Sequence, residues 1–173
     1  MGVGKRDYAI LTLAARLGLR VGEIRELRFD HIKWDTSRIE FIQPKTQKPV
    51  TVPLLQEVGW AIIDYIRYGR PTVSESKTIF IRHNAPYDKF GDNDNLHYLI
   101  AKYIRKAGIS IPFGKRHGMH SLRHSLASNL LVHNTPIQFI SEAITHARTE
   151  TTNIYLKIDT EHLKECALEV TAL

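Results

Sequence analysis

The sequence predicts an α+β domain that is mostly helical, with a small antiparallel β-sheet in its N-terminal half. Three features carry that expectation. Most segments repeat apolar residues at the helical period, period-two alternation is concentrated between residues 38 and 53, and everything after residue 118 reads as helix. A chain of 173 residues, 43% hydrophobic and 24% charged, has the balance of one soluble domain with a normal core, which excludes disorder as its overall state.

Taken in order, Asp7 to Leu17 is a largely apolar helical stretch, with Asp7 as its expected cap and Gly18 as its stop. Arg20 follows that stop. Val21 to Leu27 forms a second short helix with Val21, Ile24 and Leu27 on its inner face, so Arg20 and Glu23 lie one turn apart. Arg38 to Gln43 and Pro49 to Pro53 are strands, and Lys45, Thr46, Gln47 and Lys48 between them tip a hairpin with lysines. Gln56 to Tyr68 places Val58, Ala61, Ile62, Tyr65 and Ile66 at helical spacing. A loop, a short strand at Thr78 to Ile81 and a polar stretch from Arg82 to Asn93 follow. Asn95 to Lys106 is a helix ended by Gly108, and Ile109 to Gly118, with Pro112 and Gly114, is a loop. Four helices complete the chain: Met119 to Leu131, Thr135 to Ile144 with Pro136 in its first turn, Glu150 to Leu156, and Thr160 to Ala172. With no repeat, low-complexity segment or linker, residues 1–173 are expected to form one domain.

Lys and Arg total 24 against 18 Asp and Glu, a formal charge of +6 and a pI near 9.5, which favours a polyanionic partner. A merely soluble basic surface is the alternative. The single cysteine, Cys166, excludes an internal disulfide and a thiolate zinc cluster, and fits a reducing, cytoplasmic setting. No apolar run reaches the roughly 18 residues that span a bilayer, and the N-terminus lacks a signal-peptide pattern.

Chemistry concentrates in the second half. His120 and Arg123 are three apart in a helix that buries Leu122, Leu126 and Leu130, so both project toward a common ligand, and His124 shares their side. His117, His120 and His124 could instead form a metal face, although no glutamate lies between the pair as in His-Glu-x-x-His and no Cys or Asp supplies a third ligand nearby. Tyr155 sits nine positions after His146 in Thr-His-Ala-Arg-Thr-Glu-Thr-Thr-Asn-Ile-Tyr.

Four separated motifs occur together: Leu-Gly-Leu-Arg-Val-Gly-Glu-Ile-Arg-Glu-Leu from Leu17, Pro-Lys-Thr-Gln-Lys-Pro-Val-Thr-Val-Pro-Leu from Pro44, His-Ser-Leu-Arg-His-Ser from His120, and Thr145-His146 followed by Thr-Thr-Asn-Ile-Tyr. In this order they resemble the catalytic domain of tyrosine recombinases, the phage-integrase family, over nearly the whole chain. The resemblance implies Arg20 and Arg123 as phosphate-binding arginines, Lys45 as the hairpin lysine, His120 and His146 as the two histidines, Tyr155 as nucleophile and Glu23 as a supporting acid. It implies double-stranded DNA as substrate, a 3′-phosphotyrosyl intermediate, no metal or nucleotide cofactor, and tetramers on DNA. It also implies a preceding core-binding domain that this chain lacks, so a fragment with weak, salt-dependent DNA binding is expected. The apolar side of Thr160 to Ala172 suits docking on a neighbouring protomer or packing on its own domain.

The residue types fit that chemistry. Attack by a tyrosine hydroxyl on a phosphodiester builds charge on the non-bridging oxygens, which guanidinium groups bind as a fork. The hydroxyl, of pKa about 10, needs a proton acceptor, for which His120 is the choice, with His146 donating to a phosphoryl oxygen. The departing 5′ oxygen needs a proton, with Lys45 as candidate acid and Lys48 its competitor. Lys48 and Arg148 are expected DNA contacts. Ile144-Thr145 stands where the family commonly has Leu-Gly before the second histidine. A type IB topoisomerase, which shares Arg, Lys, Arg, His and Tyr chemistry, and a non-catalytic DNA-binding module are the competing readings.

Overall fold

The computed structural model describes residues 2–44, 46–91, 94, 96–112, 118–133, 135, 136 and 140. Helix α1 spans Gly2–Leu17 and buries Ala9, Ile10, Leu13, Ala14 and Leu17. It packs against α3 (Gln56–Tyr68) and α5 (Met119–Val132). Helix α3 has the predicted bounds and turns Val58, Ala61, Ile62 and Tyr65 inward. Between them lie α2 (Val21–Arg25), a 3-10 turn at Phe29–His31, and strands β1 (Ile32–Lys33), β2 (Arg38–Ile42) and β3 (Pro49–Pro53).

The sheet is antiparallel in the order β1-β2-β3, with Ile39 opposite Val52 and Phe41 opposite Val50. These pairs face the core while Arg38 and Ile42 face out, as period-two alternation demands. The two-residue β1 escapes sequence reading because it is too short to show a period. Helix α4 (Tyr98–Lys106) closes the described fold, with Leu99 and Ile100 in the core and Gly108, at φ +66, just past its end.

Three expectations are corrected. Asp7 does not cap α1; it lies inside the helix, 0% exposed, because its carboxylate is claimed by tertiary partners: Arg6, Lys102 and Tyr103. Thr78–Ile81 is not a strand but touches the rest by isolated bridges, Arg28 to Thr78 and Ile81 to Lys89. Ile79, Phe80 and Ile81 are all fully buried. Side chains rather than a neighbouring strand take the segment's carbonyls: Arg70 donates to Thr78 O and Ile79 O, each at 3.1 Å, the Thr78 hydroxyl to Phe80 O at 3.3 Å, and Arg6 to Ile81 O at 3.1 Å. Helix α4 starts at Tyr98 rather than Asn95. The helices expected at Thr135 to Ile144, Glu150 to Leu156 and Thr160 to Ala172 lie outside the described residues, apart from Thr135, Pro136 and Ile140. The Ile140 amide bonds the Pro136 carbonyl at 3.2 Å, one helical turn back.

Candidate active site

Gly18 builds the first part of the site. Its φ of +62 ends α1 in the left-handed region, and a β-carbon there would lie 3.2 Å from Leu126 Cδ2 and 3.7 Å from Arg123 Cγ. Only glycine allows both the turn and this approach of α5. The Gly18 carbonyl accepts a hydrogen bond from Arg123 Nη1, although the two residues are 105 positions apart. That bond orients a guanidinium that is 7% exposed.

Two residues beyond Gly18, Arg20 precedes α2 in extended conformation, where its backbone N–H donates to Glu23 Oε2 at 2.7 Å. Its guanidinium donates to Glu23 Oε1 at 3.1 Å. The Arg20 side chain keeps 44% of its surface exposed while that of Glu23 keeps 2%, so the carboxylate is a buried anchor and the guanidinium an accessible head. Gln43, at the end of β2, donates to Glu23 Oε1 at 2.7 Å.

Arg20, His120 and Arg123 meet at a pocket of about 240 Å³, lined also by Leu19, Val21, Gly22, Met119 and His97. His120, in the first turn of α5, is exposed, and its ring stands edge-on to His124 at 5.0 Å and 89°. Its imidazole is pushed below the usual 6.5, first by desolvation and then by the charges of His124, Arg123, Arg20 and His97. It is therefore biased toward the neutral form that can accept a proton.

Arg20, Glu23, His120 and Arg123 are thus brought together. Lys48 is placed apart from that pocket, on the hairpin, where its carbonyl accepts from the Gln43 amide at 2.9 Å. Lys45, His146, Arg148 and Tyr155 lie outside the described residues, as does His117 of the alternative metal face. His97 is a pocket residue that sequence reading missed, because an isolated histidine ahead of a helix belongs to no motif. A side chain on Gly118 would meet its Nδ1 at 3.7 Å.

The phage integrase family model matches residues 3–162. The chain belongs to the phage integrase family. Within this family the chain is 41% identical over 167 residues to "Putative integrase/recombinase y4gC" of Sinorhizobium fredii (strain NBRC 101917 / NGR234), covering 96% of this chain and 84% of that protein. It is 33% identical to the tyrosine recombinase XerA of Thermococcus kodakarensis, across 93% of this chain and 54% of that protein. The crystal structure of XerA recombinase superimposes with a TM-score of 0.67 at 26% identity, covering 96% of this chain and 57% of that one. The lambda integrase catalytic core shares the fold at 18% identity, with a TM-score of 0.58 over 82% of this chain and 83% of that one. The integrase fold here is therefore that of a tyrosine recombinase catalytic domain. The chain spans about half the length of the XerA relatives it matches. No described helix is long and apolar enough to cross a membrane.

Proposed function

We propose that this integrase domain cleaves and rejoins strands of double-stranded DNA through a 3′-phosphotyrosyl intermediate, as part of a tetramer on DNA. The observation that carries the reading is the convergence of Arg20, held by buried Glu23, with Arg123, held by the Gly18 carbonyl, and with His120 on one pocket. Two guanidinium groups, each anchored by a hydrogen bond within the protein, form a preorganised cradle for the charge that develops on the non-bridging oxygens. The Tyr155 oxygen bonds phosphorus, its proton passes to His120, and the bond to the 5′ oxygen breaks as that oxygen takes a proton from Lys45. His146 donates to a phosphoryl oxygen, and Lys48 and Arg148 contact the backbone. No step draws on a metal or nucleotide. A structural neighbour, XerH, was crystallised on its difH substrate in a post-cleavage complex, which supports DNA as the substrate of this shared fold.

A randomised library of nicked duplexes tests the reading. The wild-type chain is expected to yield a denaturant-stable protein–DNA adduct through a 3′ phosphate, and Tyr155→Phe none; an adduct in the Tyr155→Phe protein would overturn the nucleophile. Sequence-independent relaxation of supercoiled plasmid would favour the topoisomerase reading instead.

The depressed His120 also sets a pH dependence. A proton acceptor must be neutral, so cleavage should rise with pH through a midpoint below 6.5 and level off near neutrality. Removing one of these neighbours in His124→Ala should return the midpoint toward 6.5 in single-turnover pH profiles. A midpoint that stays in place would argue that His120 is not the acceptor.

A further inference from the structure

We propose that Gln43 is a positioning residue that locks the lysine-bearing hairpin to the arginine pocket, so that its side chain acts on strand cleavage through Lys45. The inference rests on the cleavage reading above and extends it to a residue that touches no reacting atom.

Gln43 directly follows β2, two residues after the inward-facing Phe41, and is 5% exposed. A buried primary amide must find partners at both ends, and this one does so in opposite directions. Its Nε2 donates to Glu23 Oε1 at 2.7 Å, on the same oxygen that accepts from Arg20. Its Oε1 accepts the Thr46 hydroxyl, inside the hairpin turn. The backbone of Gln43 ties the same turn: its N–H donates to Lys48 O at 2.9 Å and its carbonyl accepts from Gln47 N–H at 2.9 Å. Gln47, at φ +54, also sends its side-chain amide to Pro44 O at 2.9 Å.

The chain on either side of Lys45 is therefore held to itself and, through one amide, to the carboxylate that holds Arg20. An ammonium on a four-carbon stem is a flexible donor, so delivering its proton to one 5′ oxygen requires a fixed base beneath it. Alanine at 43 would leave Glu23 and Thr46 in place but remove the link between them. Arg20 would keep its own two bonds to Glu23, so the loss should fall on the hairpin.

The leaving group provides a readout that a purely structural role would not move. When sulfur replaces the bridging 5′ oxygen, the P–S bond breaks to give a thiolate, whose parent thiol has a pKa of about 8.5, so protonation by Lys45 is no longer required. On oxygen substrates Gln43→Ala should slow adduct formation by about tenfold or more, part of the roughly 10²–10⁴ that a general acid supplies. On the sulfur substrate it should come within about threefold of wild type, as should Lys45→Ala, and the double variant should be no slower than Lys45→Ala alone on oxygen. Equal losses on both substrates, or additive losses in the double variant, would overturn the proposal. If the wild type forms no adduct, the cleavage reading fails; if it does and Lys45→Ala is not rescued, the acid assignment fails. Either result also removes the role given to Gln43, and the wild-type lane tells the two apart.

Discussion

Replacing Arg123 by lysine is expected to slow covalent adduct formation by about 10³-fold, a loss of the size seen when one preorganised donor to a developing oxyanion is removed. Charge is kept in this substitution, so the effect reads geometry. Arg123 spends one guanidinium nitrogen on the Gly18 carbonyl, which fixes the plane of the group toward the pocket it shares with Arg20 and His120. An ammonium has no plane to fix; if it keeps the buried carbonyl it cannot also present a fork to phosphate. Duplex affinity should fall far less than the rate, because many contacts share binding whereas few groups face the transition state. Single-turnover adduct formation and equilibrium binding, measured side by side, check this. A rate loss matched by an equal loss in affinity would place Arg123 in ground-state binding alone.

The second large effect is on stability. Asp7→Ala should destabilise the domain by about 3–5 kcal/mol, the range found when one partner of a buried ion pair is removed. Asp7 is 0% exposed and Arg6 5%. Arg6 Nη2 reaches Asp7 Oδ1 at 2.8 Å, while Lys102 Nζ at 2.8 Å and Tyr103 Oη at 3.1 Å meet Oδ2. The hydrogen bond from Lys102 to Asp7 raises the lysine above its usual 10.5, so the stabilisation from that pair is present at neutral pH and lost only as pH climbs through the raised value. Losing the carboxylate leaves the Arg6 charge in the core with, among the described residues, the Ile81 carbonyl and the face of Phe90, 5.2 Å away, to meet it. Against a typical total of roughly 5–15 kcal/mol, urea denaturation should show a clear fall in midpoint. The double change Arg6→Met with Asp7→Leu should cost less than Asp7→Ala alone, since it removes both charges. If it costs more, the pair is stabilising beyond the charge compensation invoked here.

Much of this was legible in the residues. The apolar period gave α3 its ends, Gly18 its role as a stop, and Arg20 with Glu23 their one-turn spacing. Local rules failed where distant partners intervened. Asp7 has the profile of a helix cap, but Lys102 and Tyr103, almost a hundred positions away, join Arg6 in claiming its carboxylate. Thr78–Ile81 has the apolar character of a strand, but side chains of Arg6, Arg70 and Thr78 occupy its carbonyls. Gln43 did leave a signal: the alternation that buries Ile39 and Phe41 puts position 43 on the same inward face, where a polar side chain demands partners. His97 left none, since its place at the pocket depends on how α4 packs.

The bond from Arg123 to Gly18 has a consequence for folding kinetics. Arg20, Glu23 and Gln43 assemble from contacts close in sequence, which form early at small loop-closure cost. The second arginine arrives only when α5 closes against the end of α1, 105 residues back. During synthesis or refolding the phosphate cradle is therefore expected to be completed late, after the hairpin and α3 are in place. On the cleavage reading proposed above, a chain stalled before that closure would present Arg20 without Arg123 and form no adduct with DNA.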